Sequence, residues 1–337
     1  MRAATRVFGA TSIASVLCFF SIESEEKTAL KNLGFCSSIY KLSMKNNRFG
    51  LGLFYGFGAY VIWGLLPIYW RWLSRASAFE ILTHRAIWSL FFCFLLLVYQ
   101  RHLKNTLSLI RNLRTFSLLA LTALLLTANW TIYIWSVSAD RVVEASLGYY
   151  ITPLVAVTFG VFALKEKLRP LQKISVTLAA IGVAILTIAY GRLPWIALGL
   201  AVSWGSYSLI KKKLNAGALE TLSIETFVAF FPSFLYLWHI EANGSAQFGQ
   251  DLNFSLKLIS AGIFTVIPLL MFNAATTRLP LTITGLLQYI TPTIMFLVGI
   301  FSFNENLEFS KMIGFIFIWG ALAFLGSDLI KSARSFN

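Results

Sequence analysis

Leu147-Gly-Tyr-Tyr-Ile-Thr-Pro153 and Leu286-Leu-Gln-Tyr-Ile-Thr-Pro292 decide how this chain is built. Residues 147–186 align without gaps to 286–325 at a constant offset of 139, with 12 of 40 positions identical. Gly160 matches Gly299, Phe162 matches Phe301, Glu166 matches Glu305 and Leu168 matches Leu307. A second match, at offset 141, pairs Gly58, Trp63 and Gly64 with Gly199, Trp204 and Gly205. The chain therefore carries an internal duplication.

The duplicated material is apolar. Of 337 residues, 57% are hydrophobic and 12% are charged, where a soluble domain carries roughly 25% charged. Mean hydropathy is +0.72. A water-soluble core cannot hold this much apolar side chain, so lipid is the expected solvent. Ten runs have spanning length: about 51–70, 80–99, 116–137, 143–164, 171–190, 194–210, 222–239, 258–277, 281–303 and 312–330. The expectation is an all-α integral membrane protein with ten transmembrane helices as two inverted five-helix repeats. Its halves are 44–190 and 191–337. Five is odd, so the second half must enter from the opposite side.

Charge supports the inversion. The net charge of +14 could suggest nucleic acid, but Lys and Arg sit in short clusters between apolar runs. Counted on alternate loops, one side holds 17 of them and the other six. The rich side includes Arg101, Lys165, Lys167, Lys211 to Lys213, Arg278 and Lys331. The poor side includes Arg71, Arg75, Arg141 and Lys257. The positive-inside rule puts the first set, and both termini, in the cytoplasm. The loop Lys165-Glu-Lys-Leu-Arg169 becomes Asn304-Glu-Asn-Leu-Glu308 in the second copy. The basic residues are lost and the Glu stays, as opposite orientation requires.

Residues 1–43 fit neither half. Their apolar stretch at 7–20 is too short to span, and no small-residue cleavage site follows it. They read as a disordered or misassigned extension, with Met44 as the start. The three cysteines, Cys18, Cys36 and Cys93, have no paired spacing that would indicate a disulfide framework or a metal site. Asn243-Gly-Ser245 matches a glycosylation pattern that often arises by accident.

Chemistry motifs are missing. There is no GxxxxGK(S/T), HExxH, CxxC or GxSxG, so ATP hydrolysis and the common hydrolytic reactions have no foothold. An enzyme is not expected, and no cofactor or metal is implied. Expected partners are a small-molecule solute, membrane lipids and protons as candidate coupling ion, with no nucleic acid.

Polar groups at membrane depth are the candidate functional residues. After Arg85 only 15 residues remain before Arg101, or about 22 Å of helix against a core of about 30 Å. His84 and Arg85 must then lie within the membrane. Glu80 and His84 are i, i+4 and share a face. His84 maps at offset 141 to Glu225, which gives two titratable groups at symmetry-related depths. Glu80, His84, Arg85 and Glu225 are the proton-coupling candidates. The structural alternatives are snorkelling of Glu80 and Arg85, packing of His84, and a helix-start role for Glu225.

Asn129, Trp130 and Tyr133 fall in the third span and Asn273 in the eighth. Tyr149, Tyr150, Gln288 and Tyr289 precede Pro153 and Pro292. Each of these prolines frees a backbone carbonyl one turn earlier, an irregularity tolerated against protein or a cavity. With Trp63 and Trp204 these residues are the candidate walls of a solute cavity. Interhelical packing uses the same residue types and is the alternative.

Glu80-Ile-Leu-Thr-His-Arg85, continuing Ala-Ile-Trp-Ser89, resembles the start of the second helix in RarD-type permeases. The Tyr-Ile-Thr-Pro motif with a Glu after each paired helix is similar to the EamA domain of the drug/metabolite transporter superfamily. The resemblance covers about 45–330. It implies two inverted halves around a central cavity lined by helices 1, 3, 4, 6, 8 and 9. It also implies a secondary permease for a small organic solute or drug-like compound, working by alternating access in the cytoplasmic membrane. A membrane-embedded or lipid-modifying enzyme and a non-transporting channel subunit are the competing readings.

Overall fold

The computed structural model describes residues 34–138, 141–191, 193–303 and 309–334. Contacts divide the chain between Phe49 and Gly50. In the first unit only residues 34–49 are described, and they are helical. Of the expected extension 1–43, residues 1–33 lie outside that description, as do Cys18, Glu305 and the side chains of Cys36 and Met44, while residues 34–43 are helical. The second unit is Gly50–Asn337.

Every regular element among the described residues is a helix. In chain order they are α1 (Gly34–Trp72), α2 (Ala78–Tyr99), α3 (Leu103–Arg111), α4 (Leu113–Ser138), α5 (Val142–Ala163) and α6 (Pro170–Tyr190). Next come α7 (Trp195–Leu214), α8 (Ala218–Ala242), α9 (Leu252–Arg278), α10 (Leu281–Leu287), α11 (Ile290–Phe303) and α12 (Phe309–Arg334). Their ends follow local chemistry. Ser77 caps α2 by accepting from the Glu80 N–H, and Asp251 caps α9 through the N–H groups of Asn253 and Phe254. Gly191 closes α6 with φ of 77°, a left-handed conformation that suits glycine.

Among the described residues, nine helices are long and apolar enough to cross a membrane, counting Leu281–Val298 as one. The expected sixth span corresponds to α7, which has 20 residues but falls short in hydropathy. Ser203, Ser206, Ser208 and three lysines make it polar. Its Ile196, Leu200, Ser203, Gly205, Tyr207 and Ser208 are buried. A helix whose polar side chains face other helices need not be apolar all round, and the exposed residues of α7 include Trp195, Leu198 and Val202. On the outside, Phe162, Ile188, Leu235 and Trp238 are each more than two-thirds exposed, as a lipid-facing surface requires. This is an integral, multi-pass membrane protein.

Loop contacts fall into two sets. In one, Glu166 binds the N–H groups of Leu281 and Thr282, Lys212 binds the Leu279 carbonyl, and His102 meets Glu220. In the other, Arg75 binds Gln247, Glu80 binds the loop at 247–248, and Glu144 binds Ile196. The first set joins the loops expected on the basic side. The second joins those expected on the other.

The two sequence offsets reappear as paired contacts. A Cβ on Gly64 would meet Ile294 at 2.6 Å, and one on Gly205 would meet Val155 at 2.7 Å. Gly205 is Gly64 moved by 141, and Ile294 is Val155 moved by 139, so both are one contact made twice. Likewise Gly182 packs on Gly314 where α6 crosses α12, and their counterparts Ala321 and Ser175 share a 2.7 Å hydrogen bond. Two residues touch their own counterparts. Trp63 and Trp204 meet edge to face at 5.4 Å, and the Tyr289 hydroxyl donates to the Tyr150 carbonyl at 3.0 Å.

Duplicate sequences do not adopt identical backbones. Residues 142–163 form one helix, whereas 281–303 are broken by a turn at Gln288–Tyr289. There the N–H groups of Gln288, Tyr289 and Thr291 bond three residues back, to Gly285, Leu286 and Gln288. Pro292 cannot supply the N–H that would continue a regular helix past this point.

Candidate functional site

A cavity of about 590 Å³ lies between the helices, within the range of small-molecule sites. Aromatic side chains are prominent in its walls. From α1 come Tyr60, Trp63 and Trp70, from α4 Trp130 and Tyr133, from α5 Tyr149, and from α7 Trp204. Polar groups are few: Arg71, Arg85, Asn129, Thr152, Gln288 and Thr291.

Arg85 is the ionic centre. Its guanidinium lies between the rings of Trp70 and Trp130, 4.7 and 4.5 Å from their centroids. Its Nε donates to the Thr265 hydroxyl at 3.1 Å. Burying a charge away from water is costly, and each aromatic face offsets roughly 0.5–2 kcal/mol. Asn129 is partly committed to packing. Its Nδ2 donates to the Leu200 carbonyl and the Ser203 hydroxyl, both at 2.9 Å, which ties α4 to α7. That leaves its carbonyl oxygen for the cavity.

Seven of the ten cavity candidates share this wall: Trp63, Asn129, Trp130, Tyr133, Tyr149, Trp204 and Gln288. Tyr150, Tyr289 and Asn273 do not. The two tyrosines pair with each other, and Asn273 accepts from Tyr207 at 3.3 Å. The expected lining by helix 8 is corrected, because α9 contributes no lining residue. Its Phe272 stacks behind Trp63 and Trp204, at 5.7 and 5.2 Å. Helix 2 lines the cavity instead, through Arg85.

The coupling candidates are dispersed. Glu80 accepts from the N–H groups of Gln247 and Phe248 at 2.7 and 3.1 Å, holding the 243–251 loop. His84 is buried against Phe248, with ring centroids 4.7 Å apart, and its Nδ1 accepts from Trp88 at 3.2 Å. Neither lines the cavity. Glu225 sits in a buried network. It accepts from the Thr122 hydroxyl at 2.7 Å, Tyr207 at 3.3 Å and the Lys211 ammonium at 3.1 Å. Tyr207 packs on Trp204 at 5.3 Å, which connects the network to the cavity wall.

Sequence reasoning missed two buried charged residues. Lys211, expected in a loop, is buried and paired with Glu225. A Lys in the last turn of one helix and a Glu early in the next was the available signal. Glu144, also buried, accepts from Arg141, the Tyr190 hydroxyl and the Ile196 N–H.

Comparison with known proteins follows the same duplication. The model of the EamA-like transporter family matches the chain twice, over residues 50–188 and 193–327. The chain belongs to the EamA-like transporter family. This EamA chain is 45% identical over 284 residues to protein RarD of Streptomyces exfoliatus, covering 84% of this chain and 90% of the relative. Protein RarD of Escherichia coli is 40% identical over 284 residues, covering 84% and 96%. An uncharacterized transporter of Vibrio cholerae is 39% identical over 285 residues, covering 84% and 94%. Within the EamA family the chain is therefore a RarD-type permease. A solved crystal structure superposes with a TM-score of 0.65 at 19% identity, over 81% of this chain and 96% of that one. It shares the EamA chain's fold.

Proposed function

We propose that this protein is a secondary permease that moves a small organic solute across the cytoplasmic membrane by alternating access. It crosses ten times, as two inverted five-helix halves at 44–190 and 191–337, with both termini cytoplasmic. The carrying observation is that Trp63 and its counterpart Trp204 touch in the cavity wall. A solute site where the same position of both halves meets is what alternating access needs, because exchanging the shapes of the halves reverses which side it opens to. Loop contacts support the tenth crossing. Trp195 and Ile196 begin α7 beside Glu144, and Lys212 ends it beside Leu279, in the opposite set of loops.

Protons are the coupling ion in this reading, and Glu225 is the preferred carrier. Protonation would remove the charge that holds Lys211, and Tyr207 would transmit the change to Trp204. Counterflow in proteoliposomes tests the permease. Labelled solute should accumulate transiently against unlabelled solute inside, since a site that reorients is required. Entry without such an overshoot would indicate a channel and defeat the proposal.

A further inference from the structure

The cavity carries charge of one sign. Arg71 and Arg85 line it, and no carboxylate does among the described residues. Arg85 is fixed from the side, by Trp70, Trp130 and Thr265. It forms no ion pair, and its Nη groups donate to no residue, among the described residues. Nor are those groups sealed off, as the Trp204 indole N–H is. They reach the cavity. An arginine kept only for packing would turn its donors to carbonyls or a carboxylate, because unpaired polar groups away from water are costly. This one presents a planar donor fork to a partly open cavity rich in aromatic side chains.

We propose that Arg85 is the receptor for an oxyanion on the transported solute, a carboxylate or phosphate monoester borne by a flat apolar body. The flat body packs among Trp63, Trp130 and Tyr149. A guanidinium fork matches the two oxygens of either group, and the low-dielectric wall strengthens the pair. Gln288, whose side chain makes no hydrogen bond among the described residues, supplies a second polar contact. Cations are excluded by the same charge. The proposal rests on the permease reading for its solute, but binding is measurable without transport.

The test is calorimetry on the full chain in lipid nanodiscs, with four probes of similar size: phenylacetate, phenyl phosphate, phenylacetamide and phenethylamine. One of the anions should bind about tenfold or more tighter than the amide, and the amine should bind weakest. The tighter anion identifies the oxyanion. Arg85→Gln should bring that anion and phenylacetamide to equal affinity, while Arg85→Lys keeps part of the preference. Binding of both anions no tighter than the amide by the unaltered protein overturns the proposal, as does binding of none of the probes. So does an Arg85→Gln protein that melts normally and keeps the preference. If Arg85→Gln does not fold, the unaltered protein and Arg85→Lys still decide. Anion preference without counterflow removes the permease and leaves the site. Counterflow of the amide or amine alone does the reverse.

Discussion

Tyr289 donates its hydroxyl to the backbone carbonyl of Tyr150, at 3.0 Å, and Tyr150 is the residue that occupies its own place in the other half. The bond has a direction, so it breaks the symmetry of the pair. Exchange of the halves would reverse it, making Tyr150 the donor. Tyr289→Phe should then favour the opposite-facing state, and Tyr150→Phe should favour the present one. One hydrogen bond is worth about 0.5–1.5 kcal/mol, so the populations should shift roughly 2- to 12-fold. A cysteine replacing Thr152 in the cavity, labelled from each side of oriented vesicles, reads the shift. Equal labelling in both variants would contradict it.

Topology is directly measurable. A cysteine at Ser245 should react with an impermeant thiol reagent outside intact cells, and one at Lys167 should not. Both positions are exposed, so failure to react reflects sidedness rather than burial. Labelling of position 167 from outside would refute the inverted arrangement.

Glu225→Gln should strand a buried ammonium. Lys211 and Glu225 are both almost fully buried, and breaking such a pair costs about 3–5 kcal/mol. Adding Lys211→Met should recover most of the thermal stability. In that repaired background, uptake should no longer respond to an imposed pH gradient. If gradient-driven uptake, normalised to inserted protein, survives with His84→Ala added, neither group is the coupling site.

Glu166 has a different task. Its two carboxylate oxygens accept from the Leu281 and Thr282 N–H groups at 2.7 and 2.9 Å, capping α10 from the first half. Glu166→Ala should cost about 0.5–2 kcal/mol, as loss of a helix cap does. The melting temperature should fall while solute preference stays the same. A changed preference with unchanged melting would mean that Glu166 contacts solute.

Much of this was legible because duplication and hydropathy are written in the chain. The paired tryptophans and the tyrosines of the repeated motif could be matched by offset alone, and the structure brings both pairs into contact. The 15 residues after Arg85 singled it out as an ionisable group within a span, and the structure places it in the cavity wall. Partners were not legible. Glu80 and His84 share a helix face, but loop 243–251 takes the Glu80 carboxylate and Trp88 donates to His84. That preference depends on tertiary neighbours absent from any i, i+4 rule. The polarity of α7 was misleading in another way, since hydropathy averages the whole helix, whereas Ser203, Ser208 and Lys211 are buried against protein and the exposed side carries Leu198 and Val202.

The break at Gln288–Tyr289, set against the unbroken helix at 142–163, bears on the thermodynamics of transport. If the turnover step straightens one copy while it opens the other, each distortion is created as its twin is released. The strain nearly cancels, and the two end states have similar free energy. Such a protein performs no net work by changing shape. Neither end state then traps the site, and the electrochemical gradients of solute and coupling ion, which fix the direction of any carrier, act on a molecule ready to run either way.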